Sequence, residues 1–271
     1  MSSSAQPPTG SPPPPPKSPR TASAARLAHA GQAARERGRV RLANLRNLGG
    51  RKATRVLGRV TVKLPPTPLG GLCGIADAMP LSAEEMILSY SHCLYPMDYG
   101  GRLRWHCPNP RFVLYLDELR ISSNMLRDVS KAPYTYSFDR APREVLEACA
   151  ARPGNTWLSE RLRSLFLELF EMGAVHSVEA WQGDTLVGGS FGLSIGRVFT
   201  LESMFHRAPN AGKAQFIHLA KHLTERGYVC VDGQEYAGHF ARFGAREIPL
   251  TEYRTQMARG LVNPARFGAE G

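Results

Sequence analysis

Apolar positions in the C-terminal half follow two periods. Leu162, Leu165, Phe166 and Leu169 are spaced i, i+3, i+4 and i+7, which lines one face of a helix. Gly173 is placed to end it. Three strand-like runs follow, Ser177 to Trp181, Thr185 to Phe191 and Arg197 to Phe205. Their turns fall at Gly183-Asp184 and Ile195-Gly196, so the pattern predicts an antiparallel meander. A helix over 210–226, stopped by Gly227, then leads into a strand over 228–234. Strand, helix and strand of these lengths make a β-α-β unit, which implies two parallel strands joined by a crossover helix.

The N-terminal half is less regular. Met86, Ile87 and Tyr90 recur at helical spacing behind Ser82, a residue type that caps helices. Pro108 and Pro110 exclude a central strand around Trp105 to Arg111, and Phe112 to Leu116 reads as the next strand.

Ligands bind off the carboxyl ends of parallel strands in such units. Alternation puts Glu202 on the face of Met204, and Asp232 on the face of Gln234. If the two strands are neighbours, all four residues converge on one crevice.

Composition narrows the class. Apolar residues make up 42% and charged residues 21%, values of a soluble globular chain, and no run approaches the ~18 apolar residues of a membrane span. Residues 1–63 hold thirteen of the 34 basic residues and one of the 23 acids, a net +12 against −1 for the rest of the chain, so the positive charge is N-terminal. That tail, with its tract Pro12 to Pro16, cannot bury a core. Its charge suits phosphate backbones, although a disordered extension or a transit peptide has the same composition. Five scattered cysteines without a C-x-x-C pair indicate neither a zinc site nor a disulfide framework, which points to a reducing cytoplasm.

Candidate chemistry is weighed motif by motif. Gly188 to Gly192 matches G-x-S-x-G, but the chain continues as strand after Ser190, so close backbone packing is the better reading than a nucleophile elbow. His218 and His222 have zinc-pair spacing without the glutamate of H-E-x-x-H, and no metal is expected. Asn210 to Ala214 opens a helix after a strand, as a phosphate site or as an ordinary Asn-capped helix. Glu202, on a strand that reads as buried, needs a partner, either a substrate cation or an internal Arg.

Several motifs, in order, resemble the leucyl/phenylalanyl-tRNA–protein transferase family. They include W-x-x-P-x-P-R (Trp105 to Arg111), GxxHSVExW (Gly173 to Trp181), LVGGxxG (Leu186 to Gly192), ESMF (Glu202 to Phe205), DxQ (Asp232 to Gln234) and GAxEIP (Gly244 to Pro249). The resemblance covers roughly residues 70–255. Behind the basic tail (1–64), whose composition reads as disordered, it implies an α+β fold: a small N-terminal domain (65–110) and a GNAT-like, acetyltransferase-type mixed-sheet domain (111–271). It implies transfer of Leu or Phe from aminoacyl-tRNA to the N-terminal Arg or Lys of an acceptor protein or peptide. That reaction is an N-degron step, without cofactor or membrane, by a monomer in the cytoplasm. Carried over by position, Asp232 and Gln234 are the catalytic pair, Glu202 meets the acceptor or the aminoacyl amine, and Met204, Phe199 and Val231 line the apolar pocket. Trp157 falls near the terminal adenosine.

The chain departs from the family at Met97, His106, Ser190, Gly233 and Ala237, and Arg120 and Ser123 break the usual HxSR tract. Ser190 stands where a pocket Met is usual, so a paralogue with changed donor or acceptor is open. A GNAT-type N-acyltransferase using acyl-CoA is the alternative enzyme, with Pro209 against it. A tRNA-binding protein without transfer activity is the third reading.

Overall fold

The computed structural model describes residues 82–131, 133–151 and 156–268. The expected basic tail (1–64) and the residues from 65 to 81 lie outside this range. The elements are α1 (Ala83–Ser91), β1 (Tyr95–Tyr99), β2 (Arg102–His106), β3 (Arg111–Tyr115), α2 (Ser123–Ser130), β4 (Thr135–Phe138), α3 (Pro142–Ala150) and α4 (Glu160–Glu171). They continue with β5 (Val175–Gln182), β6 (Thr185–Ile195), β7 (Val198–His206), α5 (Ala211–Glu225), β8 (Cys230–Gln234), α6 (Gly238–Ala241), β9 (Arg246–Ile248) and α7 (Leu250–Val262). Among the described residues no helix is long and apolar enough to cross a membrane.

The fold is α+β, with a β1–β2 hairpin and a seven-stranded sheet of order β4-β5-β6-β7-β8-β3-β9. The predicted meander is β5-β6-β7. The predicted β-α-β unit is β7-α5-β8, whose strands pair in parallel at Val198↔Cys230, Phe199↔Val231 and Thr200↔Asp232. The other described strand pairs are antiparallel. The hairpin β1–β2 is a feature the prolines concealed: Trp105 is in a strand, and the non-strand stretch begins only after His106.

Local chemistry explains the helix starts. Ser82 accepts from the Glu85 amide at 3.2 Å while Glu85 accepts from the Ser82 amide at 3.0 Å. This capping box satisfies two amides that α1 itself cannot, an effect of about 1 kcal/mol. Ser122 and Ser159 cap α2 and α4 through the hydroxyl alone, accepting from the Met125 and Leu162 amides.

Hydrophobic burial places one layer on each face of the sheet. Met86 and Tyr90 of α1, Val145 of α3, Leu162 and Phe166 of α4, and Tyr253 and Met257 of α7 pack in one cluster with Val113, Val198 and Phe205. Phe216, Leu219 and Leu223 of α5, with Met125 and Phe240, pack in another against Phe112, Phe199 and Val231. The sheet therefore has an α1/α4/α7 face and an α5 face, and alternation assigns each strand residue to one of them.

Candidate active site between strands β7 and β8

The site is built by a break in the alternation. Along β6–β7, Ser190 faces Met204 and Phe191 faces Ser203, but Gly192 faces Leu201. Glu202 is the extra residue of a β-bulge, a device that re-aims a side chain and is frequent beside active sites. Leu201 and Met204 consequently stay on the α5 face, while Glu202 turns to the α1 face and meets Tyr90. The expectation that Glu202 and Met204 share a face is corrected here. The bulge shifts the register between them by one residue.

On the adjacent strand, Asp232 and Gln234 also face α1 and α7, and the three groups come together. Gln234 Nε2 donates to Glu202 Oε1 at 2.9 Å, and the Gln234 amide donates to Asp232 Oδ1 at 2.8 Å. Gln234 reaches this position with a positive φ of 65°, which a non-glycine residue adopts only where its surroundings hold it.

The two carboxyl groups have opposite surroundings. Asp232 is fully buried and receives Arg111 through two guanidinium nitrogens, Nε at 2.8 Å and Nη2 at 2.5 Å. The Tyr253 hydroxyl donates a further bond at 2.7 Å. With the Gln234 amide, four donors occupy its two oxygens. Arg111, itself buried, also donates to the Cys93 carbonyl and lies over the Tyr95 and Tyr253 rings. Burial disfavours its charge, but Asp232 and Tyr253 outweigh this and hold its pKa well above the ordinary value. The internal Arg considered above as a partner for Glu202 is thus the partner of Asp232.

Glu202 has no such partner. It is 8% exposed, and Oε2 has no hydrogen-bond donor among the described residues. Burial pushes its pKa up to about 8, with Tyr90 and Gln234 lowering it in part. The group is therefore largely protonated at neutral pH. The Tyr90 hydroxyl facing it completes no hydrogen bond of good geometry, and burial followed by Glu202 raises its pKa far above the phenolic value. Thr200 Oγ1 and Ser203 Oγ, on the same stretch of β7, are likewise buried and unpartnered. Protein interiors leave few polar atoms unsatisfied. Around Glu202 several such atoms fall within four residues of β7, beside the Tyr90 hydroxyl of α1.

The remaining expected residues are distributed around this centre. Val231 and Phe199 lie in the α5-face core, Phe199 against Tyr228 and Phe267. Met204, also on that face, lines a cavity. Trp157 packs edge-on against Phe166 of α4 at 6.1 Å, on the opposite face. Ser190 is a buried mid-strand residue whose hydroxyl donates to Gln215, and a Cβ on Gly189 would come 2.9 Å from the Val178 carbonyl. Here the glycines are present for close packing, as read from the sequence. His218 stacks on Tyr136 and Phe138, and His222 contacts Phe138 and bonds the Phe267 carbonyl.

Arg111, Tyr90 and Tyr253 were not singled out by sequence. Arg111 closes the W-x-x-P-x-P-R motif, and an Arg at the head of an apolar strand was the available signal. Tyr90 reads as a core position of α1, and its hydroxyl alone distinguishes it.

The leucyl/phenylalanyl-tRNA protein transferase family model matches residues 113–258. A leucyl/phenylalanyl-tRNA–protein transferase of Rhodopseudomonas palustris is 38% identical over 193 residues, covering 69% of this chain and 84% of that protein. One of Pseudomonas syringae is 37% identical over 218 residues, covering 77% and 94%. Among solved structures, L-PGS of Bacillus licheniformis matches with a TM-score of 0.35 and 13% identity over 58% of this chain and 55% of that one, too distant to carry an argument. The matched span runs from β3 into α7 and so contains Glu202, Asp232 and Gln234. The chain belongs to the leucyl/phenylalanyl-tRNA protein transferase family.

Proposed function

We propose that the chain transfers leucine or phenylalanine from aminoacyl-tRNA to the N-terminal Arg or Lys of an acceptor protein, a cytoplasmic N-degron step. The chemistry runs at the Glu202–Gln234 pair of a GNAT-like domain. Family membership supports the reaction. The observation that carries the site is the bond from Gln234 Nε2 to Glu202 Oε1, beside a second Glu202 oxygen that is buried and empty-handed.

In this reading the acceptor α-amine attacks the ester carbonyl of the aminoacyl-tRNA. A C–N bond forms, the C–O bond to the terminal ribose breaks, the nitrogen gives up one proton and the ribose oxygen leaves with one. The ester is already activated, so the chain's tasks are positioning and proton handling. Gln234, with its amide nitrogen committed to Glu202, presents Oε1 to an N–H of the attacking amine. Glu202 titrates near pH 8, close to the ~7.7–8.0 of an α-amine. Such a match lets one group take the amine proton and return it to the leaving oxygen. Asp232, saturated by Arg111, Tyr253 and the Gln234 amide, acts through Gln234 as a positioning residue rather than as a proton carrier. By the family resemblance Met204, which lines a cavity on the α5 face, would border the side-chain pocket with Phe199 and Val231 in the core behind it, and Trp157 would meet the terminal adenosine.

The test is transfer of radiolabelled Leu or Phe from charged tRNA to Arg-, Lys-, Asp- and Glu-starting peptides. Wild-type chain labels the Arg and Lys peptides, and Gln234→Ala reduces labelling by roughly 100-fold, in the range typical of one lost acid–base contact. Equal labelling by Gln234→Ala removes the assigned site. Labelling of only the acidic peptides moves the acceptor class.

A further inference from the structure

The acceptor proposed above begins with Arg or Lys, so a cationic side chain arrives together with the amine that Gln234 receives. Holding that cation calls for a carboxylate whose charge is not already taken. The strands β7 and β8 and the residue that follows them carry three acids, Glu202, Asp232 and Glu235. Asp232 is matched by Arg111, Tyr253 and the Gln234 amide. Glu202 is buried and largely protonated at neutral pH. Glu235 is exposed, and among the described residues no cation pairs with it.

The backbone brings Glu235 to the face where the chemistry is proposed. In a regular strand it would point away from Gln234, towards α5. The ladder ends at Gln234 instead, whose φ is 65°, and the Glu235 amide donates back to the Gly233 carbonyl at 2.8 Å. A bond across two residues about a left-handed centre is the rare, strained form of the γ-turn. Beyond it, Glu235 Oε1 accepts from the Tyr95 hydroxyl at 2.9 Å. Tyr95 packs in the α1-face cluster, with Arg111 over its ring.

His106, the strand partner of Tyr95, stacks on its ring at 5.6 Å. Burial lowers the His106 pKa and outweighs the opposing pull of Glu235, so the imidazole brings no compensating charge at neutral pH. Tyr95 thus fixes one oxygen of the carboxylate, and among the described residues the other accepts no hydrogen bond. We propose that Glu235 reads the first side chain of the acceptor, its carboxylate receiving the guanidinium or ammonium group while Gln234 receives the α-amine. This rests on the transferase reading above. It leaves Glu202 to the amine and gives the acceptor's side-chain charge to a residue outside the transferred motif set.

The experiment compares the full chain with Glu235→Gln, which keeps an oxygen for Tyr95 and removes only the charge. Glu225→Gln, on the exposed side of α5 beside Lys221, is the control. Two acceptors are used, an Arg-starting peptide and the same peptide starting with citrulline, the uncharged isostere of arginine. Transfer kinetics are measured for both, and their binding is followed by fluorescence anisotropy of a C-terminal label. In the wild type and the control, citrulline should raise KM and weaken binding by roughly fivefold, the upper range for an exposed ion pair. Glu235→Gln should raise KM for the Arg peptide by the same factor and leave the citrulline peptide unaffected, so the effect appears only when both partners are charged. An unchanged KM for the Arg peptide in Glu235→Gln overturns the inference and leaves the transferase reading standing. An equal rise for both peptides also overturns it, because Glu235 then acts on the shape of the turn. A wild-type chain that transfers to neither peptide, yet binds the Arg peptide more tightly through Glu235, sinks the transferase reading and spares the cation site. Equal binding of the two peptides by such a chain ends both.

Discussion

Asp232 and Glu202 lie on neighbouring parallel strands, face the same helices and are both almost fully buried, yet they solve burial in opposite ways. Asp232 is matched by a bidentate guanidinium, a phenol and an amide, so its charge is compensated in place. Glu202 receives one amide N–H, keeps an empty oxygen and titrates near pH 8. A buried charge needs partners, and a carboxyl without enough of them stays protonated instead. Asp232 is therefore held by partners within the chain, whereas Glu202 keeps an oxygen without a donor among the described residues.

The comparison breaks most forcefully at Arg111. Arg111→Met strips the charge that compensates Asp232 and leaves a buried carboxylate alone. A loss of about 3–5 kcal/mol of folding stability is expected, read from urea denaturation. A loss below about 1 kcal/mol would mean that the Arg111–Asp232 pair is not structural.

Glu202→Gln tests the other half. The amide keeps the shape and should cost little stability near neutral pH, while transfer falls by at least roughly 100-fold. The pH dependence gives a second reading. The Glu202 pKa in the folded chain, about 8, lies above its ordinary 4.5, so the folded state holds a proton that the unfolded state has released. The stabilisation is complete below about pH 4.5 and declines as pH rises to about 8, at up to about 1.4 kcal/mol per pH unit. Urea midpoints at pH 6 and pH 8 should therefore fall more in the wild type than in Glu202→Gln. Parallel lines for the two proteins would show that Glu202 titrates normally.

Tyr90→Phe is the smallest change and the sharpest. The hydroxyl is buried and, among the described residues, completes no hydrogen bond of good geometry, so its removal should be neutral or slightly stabilising by thermal melting. If the hydroxyl waits for substrate, transfer drops by roughly tenfold at the same time. A variant that loses stability without losing transfer would assign Tyr90 to the core alone.

Local periodicity settled much of the architecture. The α4 stripe, the β5-β6-β7 meander, the β7-α5-β8 crossover and the Ser82 cap depend on residues near one another in the chain, and each is set by spacing and turn chemistry. Glu202 and Gln234 were legible as neighbours because a parallel crossover fixes their strands side by side. The division of labour between the carboxyls was not legible. Arg111 reaches Asp232 across 121 residues, since β3 pairs with β8 from the far side of the sheet. Glu202 reaches Tyr90 through a bulge that exists only in the register of β7 against β6. Spacing along a chain encodes which face a side chain takes while the ladder is regular. Which partners wait on that face, and where the ladder slips by one residue, is decided when distant strands meet.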